Sequence, residues 1–247
     1  MVYERVGAGF EMDKLLEAQY RPGIDPREQP LYTLTEAAQF LGINLRTLTT
    51  WFFGRPYETR EGPQFWPAVF TPADPDLRLL SFYNLAETHI LAATRYEHKV
   101  PFWAVREAIA TVKAQLRDAG SHPLLAEDFF TNGKLLFVRR INEVVNVSSQ
   151  QLPLEIMDAF LVRVIRDSGG KTWKIYPLRK GEDDDRIISI ASGISASRPI
   201  VDSSSIPVAA IWRRHQAGES IDFIAKDFDL KIPEVQRAIT YVERRAA

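Results

Sequence analysis

The chain has 247 residues, 45% of them hydrophobic, enough for two modest domains with ordinary cores and too apolar for a disordered tail. Lys plus Arg is 31 and Asp plus Glu is 32, a formal charge of -1. This excludes coating of nucleic acid by bulk charge and requires any such contact to be a local patch. Cysteine is absent, which excludes a disulfide framework, thiolate catalysis and Cys-based zinc or iron-sulfur sites, and fits a reducing cytoplasm.

Residues 1–30 read as an arm and linker. Met1 to Tyr20 carries Glu4, Arg5, Glu11, Asp13, Lys14 and Glu17 and so lacks the apolar core of a secretory signal. Pro22, Pro26 and Pro30 repeatedly remove a backbone donor and fix φ, as linkers do. No run approaches the ~20 apolar residues of a membrane helix; Glu155, Asp158 and Arg163 interrupt even the stretch from Leu152 to Ile165.

Residues 31–120 open with two helical patterns. Thr33 and Glu36 have capping-box spacing ahead of Ala37, Ala38 and Leu41, and Gly42 stops that helix. Asn44 can cap a second helix whose inward stripe is expected to be Leu45, Leu48 and Phe52. Arg46, Thr47, Thr49 and Thr50 then face outward, suited to guanine edges, phosphate oxygens and thymine methyls. The same pattern also suits a core helix with a merely polar exterior. Gly54 to Pro75, rich in Pro, Gly and aromatic residues, reads as a wing or small hairpin, and helices follow around Leu85 to Tyr96 and Phe102 to Leu116.

Residues 121–186 read as a mixed α/β middle. The valine-rich runs Leu135 to Val138 and Val144 to Val147 are expected to be strands, the first preceded by the turn signal Asn132-Gly133. Pro153 to Arg166 reads as a helix through Ile156, Ala159, Phe160 and Val164, ended by Gly169-Gly170 before a strand at Thr172 to Tyr176. Glu182-Asp183-Asp184-Asp185 is most simply a solvated loop, with metal binding the lesser reading.

Residues 187–247 begin with the apolar run Ile187 to Ile190 and then read as three helices. Pro207 opens the first, with Val208, Ile211 and Trp212 on its apolar side, and Gly218 ends it. Ser220 caps the second (Ile221, Ile224, Ala225), and the third carries the stripe Val235, Ala238, Ile239 and Val242. Glu234, Gln236, Arg237 and Tyr241 are expected off that stripe, where they could read bases or form a dimer or partner surface. His89, His98, His122 and His215 have no metal-ligand spacing and there is no phosphate-cradling glycine loop. No catalytic residue, metal site or cofactor is therefore expected, and Trp51, Trp66, Trp103, Trp173 and Trp212 are expected in cores or interfaces.

Tyr32-Thr33-Leu34-Thr35-Glu36-Ala37-Ala38, Leu41-Gly42-Ile43-Asn44 and Thr47-Leu48-Thr49-Thr50-Trp51 together resemble the DNA-binding head of the MerR class. Tyr83-Asn84-Leu85 and Val100-Pro101-Phe102 stand where such heads begin their third and fourth helices. The resemblance implies a winged head whose DNA-binding residues are Arg46, Thr47, Thr49, Thr50, Arg55 and Arg60, although Gly54 to Pro75 is longer than the usual wing.

Arg198-Pro199-Ile200-Val201, Ile206-Pro207-Val208, Ala217-Gly218-Glu219-Ser220, Ile224-Ala225-Lys226-Asp227-Phe228 and Val235-Gln236-Arg237-Ala238-Ile239 resemble the domain-of-unknown-function family 433. Ser203, Ser204 and Ser205 replace the glycine, threonine and arginine usual there. With the added head, the chain resembles VapB-type antitoxins.

These resemblances imply a mainly α fold with a small β component: a winged helix-turn-helix head, a mixed α/β middle and a C-terminal three-helix domain. They imply a cytoplasmic, homodimeric antitoxin of a type II pair, not an enzyme, which binds operator DNA and neutralises a PIN-like ribonuclease toxin. Trp212, Arg237, Tyr241, Arg244 and Arg245 are the candidate partner-binding residues. Arg244 and Arg245 either displace a catalytic metal ion by bidentate pairing with carboxylates or simply offset a helix dipole. The alternative function is a self-standing transcription regulator with a sensory middle.

Overall fold

The computed structural model describes residues 21–96, 100–116, 120–145, 152–178 and 186–243. The arm before Arg21, His98, the acidic run Glu182 to Asp185, Val147 and the terminal Arg244 and Arg245 lie outside the described residues. The chain divides into two compact units, residues 1–162 and 163–247.

The first unit is helical, with small β elements. Strand β1 (Tyr32–Thr33) leads into α1 (Leu34–Leu41) and α2 (Leu45–Phe53). The capping box forms as the spacing predicts: Thr33 Oγ1 accepts from the Glu36 amide (3.1 Å), and Glu36 Oε2 accepts from the Thr33 amide (2.9 Å), an arrangement worth about 1 kcal/mol. Gly42 closes α1 in the left-handed conformation at φ 64°, which glycine adopts without a Cβ penalty. Asn44 Oδ1 accepts from the Arg46 amide (2.9 Å) and opens α2.

Strands β2 (Arg55–Thr59) and β3 (Gly62–Trp66) form an antiparallel hairpin. The chain after it folds back, so that the Val69 and Phe70 amides donate to the Trp51 carbonyl (2.7 and 3.1 Å) and the Phe70 ring lies 5.6 Å from Phe52. Strand β4 (Leu79–Leu80) pairs with β1, placing Tyr32 opposite Leu80, and α3 (Phe82–Tyr96) follows directly.

Helix α3 is the axis of this unit. From Phe82 to Thr94 every residue except Tyr83 is buried, including the polar Asn84, Glu87, Thr88 and His89. Each of these has a partner, as burial requires: Asn84 Nδ2 donates to Thr71 O (3.0 Å), Thr88 donates to Asn84 O (2.7 Å) and His89 Nε2 meets Phe160 O (3.1 Å). Glu87 and His122 pair at 2.8 Å. Helices α4 (Phe102–Gln115), α5 (Lys134–Val145) and α6 (Leu154–Leu161) complete the unit. The proline-rich segment expected as a linker is pinned to it, because Arg21 Nη2 pairs with Asp74 (2.6 Å) and Gln29 is buried.

Two elements depart from the sequence reading. The runs expected as strands at Leu135 to Val138 and from Val144 belong to one helix, α5, which buries Phe137, Val138, Ile141 and Val145. Those positions are i, i+1, i+4 and i+8, the stripe of a helix rather than the alternation of a strand. Asn132-Gly133 lies in a π-helical turn, Phe129–Gly133, that runs straight into it. The helix expected over Pro153 to Arg166 stops at Leu161, and Val164–Arg166 is strand β5. Gly169-Gly170 accordingly belongs to the turn between β5 and β6, where the Gly170 amide donates to Asp167 O (2.9 Å).

The second unit is a five-stranded antiparallel sheet, β5 to β9 in sequence order, with β6 (Thr172–Ile175), β7 (Ile188–Ala191), β8 (Ile200–Val201) and β9 (Ile206–Pro207). Helices α7 (Val208–Gln216), α8 (Ile221–Asp227) and α9 (Ile232–Glu243) follow. Ile188 and Val201, paired across β7 and β8, join Val208, Ile211, Ile224, Val235, Ala238 and Ile239 in one core. Ser189 is next along β7, and strand alternation sends it to the opposite face. There it donates to Asp202 Oδ1 (2.6 Å), which also receives Lys174 Nζ (2.8 Å), while Tyr176 donates to Asp202 Oδ2 (2.8 Å).

Candidate nucleic-acid interface

Helix α2 buries Leu48, Trp51 and Phe52, an i, i+3, i+4 stripe. Leu45, expected in that stripe, is instead 44% exposed. One turn N-terminal to Leu48, it borders a hollow of about 220 Å³ shared with Thr49 and Arg78.

On the outward side Arg46 is exposed and Thr47, Thr49 and Thr50 are half-buried. The three threonines are chemically distinct. Thr49 Oγ1 donates to Leu45 O (2.8 Å) and Thr50 Oγ1 to Arg46 O (2.9 Å), so those hydroxyl protons are committed within the helix. They leave methyl groups and lone pairs for a partner. Thr47 makes no such bond among the described residues, which leaves its hydroxyl able to donate to a phosphate oxygen.

The β2–β3 hairpin is the wing. Gly54 turns the chain into it at φ 69°, where a Cβ would collide with the Trp66 carbonyl. Only glycine accommodates both the angle and the approach. Arg55 stacks over Trp66 with its guanidinium carbon 4.6 Å from the ring centroid, and Tyr57 lies 4.5 Å from the same ring. Arg60 is at the exposed tip together with Glu58 and Glu61, one cation against two carboxylates, so the tip is net negative and weak as a phosphate contact. Arg78 lies over Phe53 (3.9 Å), and Arg95 donates to Val100 O (3.1 Å). None of Arg46, Arg55, Arg60, Arg78 or Arg95 pairs with a carboxylate among the described residues.

Thr47 and Thr50 of α2, Arg55 and Trp66 of the wing, Arg95 of α3 and Trp103 of α4 line a cleft of about 410 Å³. The sequence reading missed Arg78, Arg95 and Trp103 as neighbours of α2. Arg78 and Arg95 arrive through tertiary packing, which periodicity cannot signal. Trp103 had a signal: α4 buries Ala104, Val105, Ala108, Ile109 and Val112, and a tryptophan beside that stripe falls outside it.

In the second unit the outer surface is differently charged. Arg214 is held by Glu219 (2.9 and 2.5 Å) and by Asp227, and these bonds raise its already high pKa. Glu234 accepts from Ser203 (2.7 Å) and the Lys231 amide (2.8 Å), which lowers its pKa and keeps a negative charge at the start of α9. Trp212 is half-buried against the core, with its ring 6.0 Å from His215. Arg237 is half-buried. Tyr241, expected off the stripe as a partner-binding residue, is fully buried in the core: the stripe of α9 is wide enough to include it, which removes it from any contact surface.

Among the described residues no cluster of three or more His, Asp or Glu could hold a metal ion, and no helix is long and apolar enough to cross a membrane.

Residues 30–109 match the family described as "Putative DNA-binding HTH domain", and residues 188–242 match "Protein of unknown function (DUF433)". A curated protein of Mycobacterium tuberculosis (strain ATCC 25618 / H37Rv) named "Putative antitoxin VapB45" is 26% identical over 231 residues, 85% of this chain and 92% of that protein. The crystal structure of Rv2018 from Mycobacterium tuberculosis has the same fold, with a TM-score of 0.62 at 21% identity over 85% of this chain and 97% of that one. The chain is thus a helix-rich protein with a helix-turn-helix domain toward its N-terminus.

Proposed function

We propose that this protein is the antitoxin of a type II toxin–antitoxin pair, a cytoplasmic, non-enzymatic homodimer that binds operator DNA and neutralises a PIN-like ribonuclease toxin. The observation that carries the DNA reading is the outward face of α2, where exposed Arg46 and the Thr47 hydroxyl are framed by Arg55, Arg78 and Arg95, which have no carboxylate partners among the described residues. An overall charge of -1 makes that local concentration of cations the electrostatic footprint of a DNA site. The head is used in the MerR manner, with α2 in the major groove and the wing on the backbone. The antitoxin reading draws on the relative named as an antitoxin, and the 187–247 domain engages the toxin through Trp212, Arg237 and the terminal Arg244 and Arg245.

The test has two arms. Arg46→Ala is expected to lose about 1 to 3 kcal/mol of discrimination for the DNA upstream of its own gene with an unchanged melting temperature, measured by binding titrations across salt. Co-expression with the neighbouring gene product is expected to yield a stable complex without ribonuclease activity. Equal operator binding by Arg46→Ala removes α2 as the reader, and an uncomplexed neighbour removes the antitoxin role. The cleft beside α2 favours a second reading, a self-standing regulator, which binds the operator but captures no toxin.

A further inference from the structure

The cleft between α2, the wing and α4 holds an aromatic side chain that DNA reading leaves idle. Trp103 lines it and is 41% exposed, yet its indole has neither a ring partner nor a hydrogen-bond partner among the described residues. Trp66 contrasts with it, already occupied by Tyr57 and Arg55. Among the described residues Arg95 has a carbonyl partner and no anion, and burial lowers its pKa, as desolvation of a guanidinium does.

We propose that this cleft binds a small planar aromatic anion, of the class of a nucleoside monophosphate or an aryl carboxylate, with its ring on Trp103 and its charge between Arg55 and Arg95. A volume of about 410 Å³ lies within the range of small-molecule sites. Two arginines exclude a cationic ligand from the indole face, which leaves an uncharged ring as its partner. A phosphate of duplex DNA would engage the arginines but leave the indole unstacked, because paired bases remain within the helix. The floor of the cleft includes Thr47 and Thr50, so the bound anion competes with DNA for α2; that consequence rests on the DNA reading above, whereas ligand binding itself does not.

Calorimetric titration of the full chain with deoxythymidine monophosphate, benzoate, thymidine and inorganic phosphate tests the assignment. The nucleotide or benzoate is expected to bind about tenfold more tightly than thymidine or phosphate, and Trp103→Ala to abolish that advantage, in line with the strength of ring stacking on an aromatic side chain. Trp103 is exposed, so its loss is expected to leave the melting temperature unchanged. Arg55→Gln, also at an exposed position, reports the charge contribution by weakening the anionic probes and not thymidine. Phosphate binding as tightly as the nucleotide, wild-type affinity in Trp103→Ala, or no binding of either aromatic anion overturns the proposal. Arg46→Ala separates the two claims: it is expected to lose DNA and keep the nucleotide.

Discussion

His122 sits between two carboxylates, with Nδ1 2.8 Å from Glu87 and Nε2 3.0 Å from Glu28. With both carboxylates ionised, each ring nitrogen donates and the ring is an imidazolium. Burial alone would lower its pKa, but the bonds and charges of Glu87 and then Glu28 outweigh burial and raise it from the ordinary 6.5 to about 9. Burial raises Glu87 against the opposing pull of His122. The folded protein thus holds the His122 proton to about pH 9, while the unfolded chain releases it near 6.5. The stabilisation is full below 6.5 and lost as pH rises to about 9. His122→Gln is expected to cost about 3 kcal/mol near pH 6, since it strands a buried carboxylate. Thermal melts from pH 6 to 9 are expected to show the gap to wild type closing.

Asp202 has the opposite sign. Burial would raise its pKa, but donation from Lys174, Ser189 and Tyr176 outweighs this and lowers it from 3.8, so its contribution is present above the ordinary carboxylate range and lost as acid protonates it. Asp202→Asn leaves Lys174 without its counter-charge and is expected to cost about 1 to 3 kcal/mol, read as a lower denaturant midpoint at pH 7 that converges on wild type at low pH.

At the scale of elements, α2 and its wing are joined by a residue that admits no side chain. Gly54→Ala meets both a positive φ and the Trp66 carbonyl, and is expected to cost more than about 1 kcal/mol. It should displace the Arg55–Trp66 stack, and tryptophan fluorescence with DNA titration is expected to register both a changed environment and weaker binding. An unaltered spectrum would mean that the wing is held by contacts other than this turn.

The caps of α1 and α2 were legible in the sequence because a cap is a local contract between a side chain and amides two or three residues on. Helix α5 was not, because Leu135-Leu136-Phe137-Val138 satisfies a strand template and a helix template equally over four residues. Its identity emerges only when Ile141 and Val145 extend the stripe toward a neighbour.

For the whole molecule, the division at residues 162 and 163 gives each unit its own core. The helices of the second unit close over strands β7 and β8, so residues 163–247 expressed alone are expected to unfold in a single cooperative transition and to retain whatever capture of the neighbouring gene product the full chain shows. Loss of cooperativity would mean that this core is incomplete without residues 1–162. In the first unit, Arg46, Arg55, Arg78 and Arg95 bound the phosphate contacts available to one head. If all four meet phosphates, the logarithmic salt slope is about -4 per head, and a much steeper slope would place contacts outside this site.

By itself the sequence determined two helix-turn-helix patterns, their caps and the outward placement of Arg46, because turn chemistry and helical periodicity act within a few residues. Tertiary structure alone decided that Leu45 is exposed, that Tyr241 is core and that β5 begins where a helix was expected to continue. It also brought Arg78, Arg95 and Trp103 to the sides of α2 from distant parts of the chain. The physical reason is common to these cases: periodicity specifies which residues share a face, but what covers that face and where the coverage stops depends on partners remote in sequence.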